Sequence, residues 1–145
     1  MVFIFKCGFN KRIHGTLFLK AEASDRKRMN YDLRTSSDDN SQRMLNALLP
    51  GTCVPVHRHP MSTENVFCLK GKVVEVIYED VQDVTIGKRL REKERIVLDP
   101  SAGSFGCVVP AGAWHTVEVL EPSVIYEAKD GKFGADGSES WVSRK

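Results

Sequence analysis

The order of apolar and polar residues divides most of this chain into short segments in which the two kinds of side chain alternate. The clearest alternation runs through residues 72–78, and Gly, Pro or Asp residues separate many of the segments. A period of two is typical of a strand with one buried face, and short strands separated by turn residues indicate an antiparallel sandwich or barrel. The pattern predicts strands at 43–49, 52–59, 64–69, 72–78, 84–86, 95–98, 105–109, 114–120 and 124–128.

The N-terminal region has a different pattern. Residues 1–16 show no clear period and are predicted to form a loosely ordered leader, whereas residues 17–23 are good helix formers and predict a short helix. Residues 28–34 alternate, which predicts a strand that buries Met29, Tyr31 and Leu33. Its other face is expected to be solvent-exposed, unless the strand crosses to a partner subunit; that face carries Arg28, Asn30, Asp32 and Arg34.

These elements predict an all-β single domain with a short N-terminal helix and strand. Its parts are a leader at 1–16, a helix and strand arm at 17–41, a barrel at 42–133 and a C-terminal tail at 134–145. A chain of 145 residues is long enough for one hydrophobic core and too short for two.

Charge and cysteine usage exclude some classes of function. The 21 Lys and Arg residues nearly balance 19 acidic residues, which argues against a nucleic-acid-binding surface. No apolar stretch approaches the length of a membrane span, so no membrane association is expected. The four cysteines form no C-x-x-C pair and no disulfide framework, which favours a reducing, cytoplasmic setting.

Two histidines, His57 and His59, stand two positions apart within a predicted strand. Because alternate side chains of a strand point to one face, both imidazoles face the same way and can bind a single metal ion. A hairpin after His59 brings the carboxylate of Glu64 beside them, and His115 follows the turn-rich residues 110–114. These four residues are therefore candidate metal ligands.

The spacing of these residues resembles two motifs of the cupin superfamily. The first motif corresponds to Gly51, His57, His59, Glu64 and Gly71, and the second to Pro110, Gly112 and His115. Ser104 and Val119 stand where the superfamily usually has a glycine and an asparagine, neither of which is a metal ligand. The resemblance implies a cupin jelly-roll β-barrel that binds one divalent metal ion through the three histidines and Glu64.

A wider resemblance covers residues 20–133. Segments 28–34, 42–43 and 127–131, together with the histidine pair, look like the WbuC-type cupin fold metalloproteins of bacteria. Genes of that type are often found near surface-polysaccharide clusters, and the reaction of the family is not established. Cupins commonly pair through N-terminal strands, so the resemblance also implies a homodimer.

Further residues are candidates for chemistry around the metal. The candidate general acids or bases are Glu75, Tyr78 and Glu127, and the candidate ligand-binding residues are Arg43, Trp114 and Lys129. Cys53 stands an even number of positions from His57 and His59, and Cys68 an even number from Glu64, so each cysteine should lie on the same strand face as those ligands. Each is therefore expected inside the barrel, as a thiol near the metal or as a small core residue.

Two classes of function remain open from the sequence. The first is a small metalloenzyme that isomerises, epimerises or oxygenates a small polar molecule, either sugar-like or a carboxylate. The alternative is a non-catalytic module that binds a small ligand through the metal. Three imidazoles and one carboxylate suit Fe, Mn, Ni, Co or Zn, so the ligand set leaves the identity of the metal open.

Overall fold

The computed structural model describes residues 8–142, which form one α-helix, one short 3₁₀ helix and eight strands. The elements are α1 (Lys11–Glu22), β1 (Arg28–Asp32), β2 (Ser41–Leu48), β3 (His57–Arg58), β4 (Glu64–Asp83), β5 (Gly87–Leu98), the 3₁₀ helix (Pro100–Ala102), β6 (Gly106–Val109), β7 (Trp114–Asp130) and β8 (Glu139–Ser140).

All strand pairs are antiparallel, and two long strands organise them. β4 pairs with β5, β6 and β7, while β7 also pairs with β2 and β3. β1 pairs with β2 at one edge, and β8 pairs with β3. This arrangement confirms the predicted all-β fold and the single jelly-roll domain with one short helix.

Two apolar clusters form the core, one inside the barrel and one beneath the helix. The inner cluster includes Val66, Val73, Leu98 and Ile125, all of them almost fully buried. The outer cluster forms where Leu17 and Ala21 of α1 pack on Leu45 and Ala47 of β2 and on Val124 of β7. The helix therefore covers one face of β2, and the other face of this strand turns toward the inside of the barrel.

The helix begins earlier than predicted, because Asn10 caps it. The Asn10 side chain accepts a hydrogen bond from the backbone N–H of Arg12 at 2.9 Å, which satisfies one of the free donors of the first turn. Residues 11–16, predicted to belong to a loosely ordered leader, are helical. The predicted leader also includes residues 1–7, which lie outside the described residues.

Several strand boundaries also differ from the prediction. The predicted pairs of strands at 64–69 with 72–78, and at 114–120 with 124–128, are each one continuous strand. The predicted strand 84–86 is a turn, in which the Asp83 carboxylate accepts hydrogen bonds from the backbone of Thr85 and Ile86. Of the predicted strand 52–59, only His57–Arg58 is a strand, and β8 lies in the predicted tail.

Strand β1 buries its apolar face only in part. Met29 and Leu33 pack against the cluster beneath α1, but Tyr31 is 43% exposed. On the opposite face, Arg28 and Asn30 line a cavity inside the barrel rather than facing bulk solvent. Within residues 8–142, no helix has the length and apolarity needed to span a membrane.

Candidate metal centre

Three histidines meet at one end of the barrel, and we call His57, His59 and His115 the histidine cluster. His57 in β3 lies directly opposite His115 in β7, and His59 follows two residues after His57. A ring nitrogen of each lies within 4.8 Å of the others. The sequence spacing of two brings His57 and His59 together, whereas only the pairing of β3 with β7 adds His115. The histidine cluster can bind a metal ion.

Backbone carbonyls fix the orientation of two of these rings. His57 Nδ1 lies 2.8 Å from the Pro55 carbonyl oxygen, and His115 Nδ1 lies 2.9 Å from the Ala113 carbonyl oxygen. Because a carbonyl oxygen only accepts, each Nδ1 carries the proton and donates it. Each Nε2 is therefore left with a free lone pair, which is the arrangement that metal-binding histidines adopt.

Glu64 places a carboxylate against the histidine cluster. It is the first residue of β4, and its Oε2 lies 3.2 Å from His59 Nε2 while its Oε1 lies 3.6 Å from His115 Nε2. Burial opposes ionisation of Glu64, but the adjacent imidazoles of His115 and His59 hold its pKa below the ordinary value. Burial, assisted by the nearby His115, lowers the pKa of His57 to about 4, so this imidazole is neutral at pH 7.

One nitrogen atom of the histidine cluster lacks a hydrogen-bond partner among the described residues. His115 Nε2 is buried, and no hydrogen-bonding group among residues 8–142 satisfies it. A buried polar atom without a partner costs about 1–3 kcal/mol, so such atoms call for an explanation. A cation bound between the three rings would accept this lone pair, so the donor set fits a divalent transition metal ion.

His57, His59 and Glu64 line a cavity of about 290 Å³, which we call the central cavity. Ligand pockets in proteins start at about this volume, so the central cavity suits a small molecule. Besides His57, His59 and Glu64, its polar lining includes Arg26, Arg28, Asn30, Asn46, Glu127 and Lys129.

The C-terminal segment folds over His59. Ser138 Oγ lies 2.7 Å from His59 Nδ1 and donates to Asp136 Oδ1, also at 2.7 Å. Lys129 Nζ lies 3.1 Å from Asp136 Oδ2 and 2.7 Å from His59 Nδ1. Burial opposes ionisation of Asp136, but hydrogen bonds from Ser138, Gln42 and Lys129 lower its pKa below the ordinary value.

Glu127 and Lys129 are the two candidates beyond the metal ligands that line the central cavity. Asn46 Nδ2 donates a hydrogen bond to Glu127 Oε2 at 2.6 Å. Burial and the negative charge of Glu64 raise the pKa of Glu127 to about 8. Glu127 is therefore protonated over much of the physiological pH range.

The remaining candidates lie elsewhere. Glu75 is only 2% exposed, and burial raises its pKa, but its side chain does not line the central cavity. Tyr78 and Trp114 line a separate cavity between β4, β5 and the loop before β7. Arg43 forms an ion pair with Asp39 at 2.6 Å.

The predictions for Trp114 and Cys53 also need correction. The Trp114 ring packs against the Arg58 guanidinium at 4.5 Å and against the Trp141 ring at 5.2 Å, away from the central cavity. Cys53 is exposed rather than inside the barrel, whereas Cys68 is buried in the inner core cluster. Burial raises the pKa of Cys68 to about 11, as expected for a thiol that serves as a core residue.

Several polar residues in and around the site were not recognised as candidates from the sequence. Arg28 and Asn30 of β1 and Asn46 of β2 were not among the candidates, and neither were Asp136 and Ser138 of the predicted tail. The alternation in residues 28–34 marks a distinct polar face, which was the available signal for Arg28 and Asn30. No local pattern marks residues 136–138.

We expect Glu127→Gln to change how stability depends on pH in the metal-free protein. Between pH 4.5 and 8 the folded state keeps a proton on Glu127 that the unfolded chain releases, because the pKa rises on folding. The free energy of unfolding of the wild type therefore falls as pH rises through this range. The glutamine variant cannot ionise and should gain about 4 kcal/mol over the wild type between pH 5 and pH 8.5.

Urea unfolding of chelator-treated protein at several pH values measures this difference. Glu22→Gln is the matched control, because Glu22 is exposed at the end of α1 and should leave the pH profile unchanged. Parallel profiles of Glu127→Gln and the wild type would contradict the raised pKa.

Comparisons with solved structures identify the fold. The chain resembles oxalate oxidase in complex with the substrate analogue glycolate, with a TM-score of 0.53, 17% identity and coverage of 81% of this chain and 57% of that one. It resembles TT1209 from Thermus thermophilus, with a TM-score of 0.55, 24% identity and coverage of 74% of this chain and 87% of that one. It also resembles the DMSP lyase DddQ from Ruegeria pomeroyi DSS-3, with a TM-score of 0.57, 15% identity and coverage of 81% of this chain and 53% of that one.

These likenesses concern the fold, since each identity is low and the chain spans little more than half the length of the oxalate oxidase and of the DMSP lyase. The structural neighbours are cupins. No curated protein matches the chain. The family model described as "Domain of unknown function (DUF6016)" matches residues 9–90, more than half of the 145 residues. The chain therefore has a cupin-type fold and belongs to the family described as Domain of unknown function (DUF6016).

Proposed function

We propose that this protein is a metal-dependent cupin that acts on a small polar molecule, with one divalent transition metal ion held by His57, His59, Glu64 and His115. The observation that carries this proposal is the buried Nε2 of His115, which has no hydrogen-bond partner among the described residues. The carboxylate of Glu64 on the same centre supports it, because three nitrogen donors and one oxygen donor suit Fe, Mn, Ni, Co or Zn.

When bound, such an ion supplies a Lewis acid with positions open to an oxygen atom of a ligand. The surrounding residues have separate tasks. Ser138 Oγ, which donates its own proton to Asp136, lies 2.7 Å from His59 Nδ1 and holds this ring in place at the centre. Asn46 holds Glu127 through Oε2, which leaves Oε1 free to exchange a proton with a molecule in the central cavity. Glu127, with a pKa of about 8, is suited to be the general acid or base.

The substrate that we propose is sugar-like or a carboxylate. The volume of the central cavity, about 290 Å³, favours a molecule no larger than a monosaccharide over a nucleotide-sugar. A place in bacterial surface-polysaccharide metabolism rests only on the resemblance to WbuC-type proteins. The WbuC-type assignment, the homodimer and the cytoplasmic location stay predictions; β1, an edge strand with Tyr31 exposed, is where we expect the homodimer to form.

The experiment that tests this function is a titration of the cobalt-substituted protein with glycolate, tartrate and gluconate. Because an oxygen ligand changes the coordination of cobalt, we expect the visible absorption bands to shift at millimolar concentrations of at least one of these compounds. A buffer of equal ionic strength without a hydroxy acid is the control. Bands that stay unchanged with all three compounds would contradict a ligand-accessible metal.

The alternative function is a non-catalytic module that binds a small ligand through the same metal. The Glu127→Gln variant separates the two functions. For an enzyme, this variant should bind the ligand that shifts the cobalt bands as the wild type does but convert it at least about a hundredfold more slowly, which is the usual contribution of a general acid or base. A wild type that binds this ligand and converts none of it, with any of the five metals, would favour the binding module.

A further inference from the structure

The arginines of this protein differ in whether a carboxylate neutralises them. Most of those in residues 8–142 form an ion pair with an acidic side chain: Arg34, Arg43, Arg58, Arg89, Arg91 and Arg95. In the same part of the chain, Arg26 and Arg28 form no ion pair, and both line the central cavity. Two positive charges without a counter-ion therefore face the space beside the histidine cluster.

The two arginines reach the cavity from neighbouring pieces of backbone. Arg28 is the first residue of β1, and Arg26 lies in the turn before it, separated from Arg28 by Lys27 with a φ of +53°. One face of β1 packs Met29 against the cluster beneath α1, so the face that carries Arg28 turns inward. A slip of one residue in the pairing of β1 with β2 would reverse these faces.

Each arginine is available to a ligand in a different way. Arg28 is half-buried, and its Nη1 donates to the Cys53 carbonyl oxygen at 2.6 Å, which holds the guanidinium in place and leaves its other N–H groups to donate elsewhere. Arg26 is exposed at the mouth of the central cavity. The remaining cation, Lys129, differs from both, because Asp136 pairs with it at 3.1 Å.

The acidic groups of the cavity do not cancel these charges. Glu64 lies against His59 and His115. Glu127 Oε2 accepts the hydrogen bond from Asn46, and burial raises the pKa of this carboxyl group, which opposes its negative charge. The arginine end of the central cavity is therefore positive, and guanidinium groups are well matched to the planar oxygens of a carboxylate or to a phosphate.

We propose that Arg26 and Arg28 bind a second anionic group of the ligand, so that the ligand is a small molecule with an oxygen-donor group at each end. One end lies at the histidine cluster, and the other lies between the two arginines. The inference rests on the proposed metal-dependent function. A dicarboxylate and a phosphorylated sugar acid share this chemistry, and the experiment below distinguishes them.

The test is calorimetric titration of the full-length, zinc-loaded protein with two matched pairs of compounds. The first pair is glutarate and butyrate, and the second is 6-phosphogluconate and gluconate. We expect the compound with two anionic groups to bind at least about tenfold more tightly than its partner in one of the pairs, because hydrogen bonds to charged groups are the stronger ones. The pair that shows this preference tells whether the second group is a carboxylate or a phosphate.

Variants assign the preference to the two arginines. Arg26→Gln and Arg28→Gln should each reduce it to about twofold or less, with the affinity for the monoanion and the metal content unchanged. Arg26→Gln is the safer variant, because the Arg26 side chain forms no hydrogen bond within residues 8–142, whereas Arg28 holds the Cys53 carbonyl. Arg12→Gln is the matched control, since Arg12 also lacks an ion pair with any described residue but lies on α1 outside the cavity.

The outcomes separate this inference from the proposed function. Equal affinity for both members of each pair, in protein that contains one metal ion per chain, overturns the inference and leaves the proposed function intact. A preference that persists in both Arg26→Gln and Arg28→Gln also overturns it. Wild-type protein that binds no metal overturns the proposed function and this inference with it.

Discussion

Replacing both His57 and His59 with alanine is expected to reduce the metal content from about one ion per chain to less than about a tenth. The reason is the geometry of the centre, in which these two residues supply two of three nitrogen atoms that lie within 4.8 Å of one another. The remaining His115 and Glu64 cannot enclose an ion by themselves. Elemental analysis after gel filtration in metal-free buffer measures the loss.

A matched control is present in the chain. His14, the fourth histidine, lies on α1 outside the histidine cluster, so His14→Ala should retain the metal.

The wild type should also melt at a higher temperature with metal than without it, because an ion bound only by the folded state adds stability. The double variant should show no such increase. Full metal occupancy in the double variant would mean that the ligand assignment is wrong.

Replacing Gly71 with alanine is expected to destabilise the folded protein by about 3 kcal/mol. Gly71 has a φ of +89°, a conformation that residues with a Cβ rarely adopt. A Cβ at this position would lie 2.8 Å from the Cα of Ser123 and would also collide with the Pro122 carbonyl oxygen. Relief of these contacts requires β4 and β7 to move apart at the place where their register shifts.

Gly87 provides the control for the backbone conformation alone. It has a φ of +79° at the first position of β5, and a Cβ there meets no atom within 4 Å. Gly87→Ala should therefore cost only about 1 kcal/mol. Urea unfolding of the two variants and the wild type gives both values. Equal losses in Gly71→Ala and Gly87→Ala would show that steric contact with β7 does not matter.

Much of the barrel could be predicted from local patterns, and its interruptions could not. The alternation at 72–78 predicted a strand correctly, because a strand that buries one face needs that period. Lys70 and Gly71 looked like a turn, yet β4 continues through them with a shift in register against β7. A glycine with positive φ serves a bulge as readily as a turn, and only the neighbouring strand decides which one forms.

Three of the four proposed metal ligands were predictable because their grouping depends on short-range geometry. His57 and His59 share a face through their spacing alone, and a short hairpin returns Glu64 to them. The motif after Pro110 added His115 by resemblance, and the pairing of β3 with β7 gives the physical reason for its position.

The rest of the site depends on tertiary packing. Alternation along β1 indicates that its two faces differ, but not what covers each one. Because α1 packs on the Met29 face, Arg28 turns into the central cavity. Ser138 reaches His59 only because the C-terminal segment returns across the barrel to pair with β3. The sequence by itself therefore determined the all-β pattern and the candidate ligands, whereas long-range packing decided which other polar side chains surround them.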